Sequence, residues 1–194
     1  MNAPQSASHW HVVVIGERPG KDANNRYLAV PEANVAVVRN TLASVPPTAY
    51  AGLYHQNAPF GIDLITEEFA RLNCLRQFQF PTYWQEWDFN ARQFVTDKYA
   101  GAKASRQMMR AAKDAIYDKN TSNNIKPDHG AILIAFGNPE SDEIKAAVDY
   151  LGRLKNNPVQ VRYVPLPVPM NPTVQVQSTP VTAGNPAPNG YVFS

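Results

Sequence analysis

Residues 129–143 read HGAILIAFGNPESDE. Ile132, Leu133, Ile134, Ala135 and Phe136 form an unbroken apolar run, without the alternation of a strand that keeps one face in water. Such a run predicts a central parallel strand covered on both faces. Gly137 then lets the backbone turn without a Cβ clash, and Ser141 or Asp142 can cap the helix that follows. Open α/β sheets gather ligands at this place, outside the carboxyl ends of the strands and beside helix N-termini. One stretch therefore predicts both an architecture and the position of a binding site.

Strand and helix patterns alternate on its N-terminal side. HVVVIGERPG (11–20) is a β-branched run closed by Gly16 and Pro19, a first strand entering a loop. PEANVAVVRNTLASVPP (31–47) carries proline at a helix start, Val35, Val38 and Leu42 at helical spacing, and a Pro-Pro stop. TAYAGLYH (48–55) reads as a second strand. GIDLITEEFARLNC (61–74) reads as an amphipathic helix with Ile62, Ile65, Phe69 and Leu72 on one face. RQFQFP (76–81) predicts a third, shorter strand, YWQEWDFNARQF (83–94) an irregular aromatic segment, and KASRQMMRAAKDAIYDK (103–119) a helix rich in good helix formers. TSNNIKPD (121–128) leads as a loop into the apolar strand.

Beyond that strand, the pattern predicts a helix at 141–155 and a last strand in VQVRYVPL (159–166). Alternation of this kind implies βαβ units and a parallel sheet. From Pro165 the character changes: the final 30 residues hold seven prolines and no Asp, Glu, Lys or Arg. A segment of that composition cannot build a hydrogen-bonded core and is read as disordered or extended. Val174, Val176, Val181, Tyr191, Val192 and Phe193 leave two readings open, a flexible tail or an arm docked on this or a neighbouring subunit. The second makes a homo-oligomer the expected assembly.

At 194 residues the chain is long enough for one domain with a real core, here expected over 11–164 between a loose leader (1–10) and the uncharged tail. A net charge of +2 is too small to argue for a nucleic-acid partner on electrostatic grounds alone, and no basic stripe with interleaved aromatics is evident, so such a partner is not expected. The single cysteine, Cys74, excludes an internal disulfide framework, fits a reducing compartment and is expected to face the core. No apolar run approaches the roughly 20 residues of a membrane span, and MNAPQSASHW lacks the regions of a signal peptide. A cytoplasmic location is the expectation. His9, His11 and His129 show no metal-ligand spacing, so no metal is expected, and no cofactor either.

Three strand ends are expected at one sheet edge. The first carries Gly16, Glu17 and Arg18, the second His55 through Asp63, and the fourth Gly137 to Glu143. Gly61 and Asp63 stand at a helix mouth, where Asp63 can cap its own helix or accept hydrogen bonds from a ribose diol or base amine. Arg18 and Arg106 are the candidate phosphate partners, because a guanidinium offers a fork of donors. His55 is either an acid–base group or a hydrogen-bonded structural residue. Tyr83, Trp84 and Trp87 could stack on a base or serve as core or interface.

Taken in order, HVVVIGERP, NAPFGID, ASRQMM and ILIAFGNPES resemble the SLOG superfamily, the Rossmann-like group of DprA and the LOG phosphoribohydrolases, and within it the YspA/YpsA-type branch. That branch has a first strand ending in Gly-Ser-Arg, matched by Gly16-Glu17-Arg18. Its His-Gly-x-Ala-Pro-x-Gly-x-Asp is resembled by His55 and by Ala58-Pro59-Phe60-Gly61-Ile62-Asp63. A tryptophan follows, here Trp84 or Trp87, then Ala-Gly and Arg-Asn-x-x-Met, here Ala100-Gly101, Arg106-Gln107 and Met109. The resemblance implies a Rossmann-like three-layer sandwich with a mainly parallel sheet of about five strands. It also implies a nucleotide or nucleotide-derived ligand at Gly16, Glu17, Arg18, His55, Gly61, Asp63, Trp84, Arg106, Gly137, Asn138 and Ser141.

The family's second loop, Gly-Gly-x-Gly-Thr, is replaced by Phe136-Gly137-Asn138-Pro139-Glu140-Ser141. Pro139 removes a donor and Glu140 adds a negative charge, which weakens a phosphate cradle there. In the LOG enzymes the loop runs to a catalytic glutamate. Glu143 or Glu140 would take that role if the chain is an N-glycosidic hydrolase, the alternative to a binding module. A structural protein using its C-terminal arm is the third reading.

Overall fold

A computed structural model of the chain describes residues 8–83, 85–97, 99–117, 126, 128–153 and 159–170. The expected α/β architecture is present: a five-stranded parallel sheet with helices on both faces. The strands are β1 (His9–Gly16), β2 (Tyr50–His55), β3 (Gln77–Gln79), β6 (His129–Phe136) and β7 (Val159–Val164), in the order β3-β2-β1-β6-β7. The helices are α1 (Glu32–Ala43), α2 (Gly61–Leu72), α3 (Ala100–Ala115) and α4 (Asp142–Arg153).

β1 and β6 are covered on both faces, and their side chains divide with the period of two that a strand imposes. Val13, Ile15, Leu133 and Ala135 point into one core with Met108, Met109, Ile144 and Leu151 of α3 and α4. Val12, Val14, Ile134 and Phe136 point into the other, with Val38, Leu42, Ile62, Ile65 and Phe69 of α1 and α2. Leu72, expected on the same face of α2, is 65% exposed, because it is the last residue of the helix and the chain turns away there. Cys74 is also exposed rather than core-facing, in a left-handed turn at φ 52°.

Chain order sets the geometry of the carboxyl edge. From β1 the chain moves outward to β2 and β3, then returns to place β6 on the other side of β1. The helices that follow β1 and β6, α1 and α4, therefore lie on opposite faces, and a crevice opens between the two strand ends.

One region departs from the sequence pattern, and a second follows one of its two readings. The aromatic segment is ordered as an antiparallel hairpin of β4 (Gln85–Asp88) and β5 (Gln93–Thr96), with Trp87 opposite Phe94. Its turn is built by the Asp88 carboxylate, which accepts the Asn90 and Ala91 N–H groups, and by Arg92 at φ 50°. No Gly or Pro marks that turn, so the local signal is weak. The first residues of the proline-rich stretch dock on the domain. Buried Asn34 donates to the Val168 carbonyl at 2.7 Å and accepts its N–H at 3.0 Å, while Met170 is 2% exposed. Residues 171–194 and most of 1–9 lie outside the described residues. No described helix is long and apolar enough to cross a membrane.

Candidate functional site

Three glycines shape the crevice. Gly16 pairs in register with Phe136, and a Cβ there would lie 2.4 Å from Cγ1 of Ile62. Only glycine lets the end of β1 rest against the first turn of α2. Gly61 opens α2 at φ 67°, with Pro19 Cδ 3.0 Å from where a Cβ would stand. Gly137 turns the chain out of β6 at φ 123°, a conformation that side chains disfavour.

Two adjoining cavities result. One of about 400 Å³ is lined by Gly16, Gly61, Asp63, Gln56, Tyr27 and Phe60. The other, about 980 Å³, is lined by Gly137, Asn138, Glu140, Ser141 and Lys21. Glu17, Arg18, Pro19, Tyr27 and Glu143 border both, so the two form one cleft. Arg18 Nε lies 3.7 Å from Glu143 Oε1 across the divide.

Asp63 is the most perturbed group of the cleft. Burial raises its carboxyl from 3.8 to about 6, against the lowering pull of the Gln56 N–H, 3.0 Å from Oδ1, and of the Arg18 charge. It reaches back to residue 56 rather than capping its own helix, whose N-cap, Phe60, has no side-chain cap. The Gln56 amide donates to Ser105 Oγ and to the Gly101 carbonyl, tying the β2 loop to α3. In the same cavity, the rings of Tyr27 and Phe60 stack 3.6 Å apart at 19°, and Lys21 Nζ stands 4.7 Å over Tyr27.

Most of the anticipated residues meet here: Gly16, Glu17, Arg18, Gly61, Asp63, Gly137, Asn138, Glu140, Ser141 and Glu143 all line the cleft. His55 does not. It is fully buried beneath the loop, its Nδ1 accepting the Asn57 N–H at 3.2 Å and its Nε2 lying 3.1 Å from Gln77 Oε1, and burial lowers its pKa. Arg106 is exposed on the outer side of α3, its guanidinium 5.9 Å from the Tyr150 ring; its neighbour Ser105 faces the cleft instead. Trp84 lies outside the described residues. Trp87 belongs to the hairpin and Tyr83 lines a separate recess, so neither reaches the cleft. Glu140 is drawn to Lys145 at 3.2 Å, leaving Glu143 the more central of the two candidate acids.

Sequence reading missed Tyr27 and Ser105 and gave no separate role to Gln56 and Phe60, which lay within the His55–Asp63 stretch; Tyr27 sits in a loop without local periodicity. The histidines read as scattered also come together, at the opposite edge. His11 Nε2 lies 3.1 Å from His129 Nδ1, His11 Nδ1 lies 2.9 Å from the Tyr54 hydroxyl, and His9 stacks on His129. Among the described residues no group of three or more His, Cys, Asp or Glu could hold a metal ion. No family model, curated protein or solved structure matches the chain.

Proposed function

We propose that the cleft binds a nucleotide or nucleotide-derived ligand. The observation that carries the reading is the meeting of three strand-end loops at the β1–β6 switch point, around a half-buried carboxyl and a stacked aromatic wall. In this arrangement Asp63 takes a ribose diol and the Tyr27–Phe60 face takes the base. The resemblance to the SLOG superfamily supports the same assignment. Native mass spectrometry of freshly purified protein, followed by calorimetry, tests it. Asp63→Asn and Tyr27→Ala are expected to weaken binding about tenfold or more each, on the scale of one lost buried contact. Unchanged affinity in both would remove the site.

A second reading is N-glycosidic hydrolysis, favoured by Asp63 and Glu143 lining one cavity, with Asp63 raised into the range of a working acid. The base would leave with a proton from Asp63 as its bond to the anomeric carbon breaks, water would add to that carbon and return a proton to the Asp63 carboxylate, and Glu143 would stabilise the developing positive charge. Release of free base, lost in Glu143→Ala and kept in Glu140→Ala, separates turnover from binding. Assembly through the C-terminal stretch is a third proposal. Because Met170 is buried, truncation after Met170, not after Val164, is the variant that would change subunit number while sparing the fold.

A further inference from the structure

The loop after β6 leads into the N-terminus of α4 beside the cleft, and each amide of residues 137–141 can be followed. Gly137 N–H donates to the Val164 carbonyl at 3.0 Å. Asn138 N–H donates to Glu17 Oε1 at 2.8 Å. Residue 139 is proline and has no N–H. Glu140 N–H donates to Asn138 Oδ1 and Ser141 N–H to the Asn138 carbonyl, both at 3.0 Å. Every backbone N–H of residues 137–141 is thus engaged within the chain, and the one that faces the β1 loop is held by a carboxylate; the Ser141 hydroxyl is buried without a partner.

That carboxylate is seated on the glycine. A Cβ at residue 137 would lie 2.5 Å from Glu17 Cγ and 2.6 Å from Cδ, so the absence of a side chain at Gly137 accommodates Glu17. The surrounding charge has the same sign. Glu17, Asp63, Glu140, Asp142 and Glu143 border the cleft against Arg18 and Lys21, and Arg18 is already beside Glu143. A phosphate entering near Gly137 would meet an anion where it needs a donor.

We infer that Glu17 is a specificity-determining residue: it occupies the anion position of the Gly137–Asn138 turn, so the cleft selects nucleosides and other phosphate-free ribosyl compounds over their phosphate esters. This rests on the cleft being the ligand site proposed above and narrows the class of ligand it takes. The aromatic wall and Asp63 are suited to such a molecule, since neither needs a charge on the guest.

The test is calorimetry on the full chain with the common ribonucleosides, their 5′-monophosphates and inorganic phosphate. Wild-type protein is expected to bind a nucleoside about tenfold or more tightly than the matching monophosphate, the scale of one uncompensated like-charge contact. Glu17→Gln keeps an acceptor for Asn138 without the charge; it should reduce that ratio about tenfold and gain measurable phosphate binding. Glu17→Asp keeps the charge and should keep the preference. A wild-type monophosphate affinity equal to or above that of the nucleoside overturns the inference while leaving the cleft assignment standing, and needs no variant. An unchanged ratio in Glu17→Gln also overturns it. Absence of binding by every probe, in wild type and variant alike, overturns both readings together.

Discussion

The two ends of the sheet handle buried titratable groups in opposite ways. At the amino edge, His11 is buried between Tyr54 and His129, and its imidazole falls from 6.5 to about 4 through burial, the His129 charge and the charges of Lys126, Arg76 and His9. His129 is lowered as well, with Asp128 opposing. At the carboxyl edge, burial lifts Asp63 from 3.8 to about 6. Both ends favour the neutral form, and the carboxyl edge opens on a cleft. The amino edge resolves its polarity internally, ring against ring and ring against hydroxyl. The carboxyl edge holds an acid raised by burial beside a cavity.

The sharpest way to break this comparison is through pH. As pH falls past 6.5 the unfolded chain protonates His11 before the folded one does, so stability is lost between about 6.5 and 4. For Asp63 the folded chain protonates first, so stability is gained between about 6 and 3.8. Each contribution is on the order of 3 kcal/mol at most, and in the wild type they oppose. Asp63→Asn should stabilise the protein at pH 7.5 and steepen its loss on acidification, whereas His11→Asn should flatten or reverse that loss. Urea unfolding between pH 7.5 and 4.5 checks this, and equal slopes in all three proteins would end the contrast.

A smaller effect sharpens the steric side. Gly16→Ala forces a methyl into Ile62 and should cost about 1–3 kcal/mol, read as a lower melting temperature. Gly152→Ala, with nothing within 4 Å of the new methyl, should instead gain about 0.5–1 kcal/mol from the helix. A loss in both would show that tight packing at the β1–α2 contact is not the reason for glycine at 16. The smallest effect belongs to Arg106→Ala. With its side chain on the outside of α3, stability should move by less than about 0.5 kcal/mol and ligand affinity not at all. A large loss of affinity would return Arg106 to the site.

Local chemistry carried much of this fold. The apolar run 132–136 specified a strand covered on both faces, and Pro31, Gly61 and Gly137 marked the boundaries of elements that the structure contains. Convergence of the glycine loops followed from element order alone, because βαβ connections bring successive strand ends to one edge. Side-chain partnerships were not legible in this way. Glu17 and Asn138 are 121 residues apart, and His11 and His129 are 118 apart.

The sequence by itself determined the α/β class and the order of the elements that build the main sheet, since these follow from periodicity and turn residues within a few positions of one another. Only the tertiary structure decided that Glu17 would fill the turn after β6, that Tyr27 would join Phe60, and that His55 and Arg106 would stand apart from the cleft. Those outcomes depend on strand register and on which helix face meets which loop, quantities set by packing across the whole sheet rather than by any neighbouring residue.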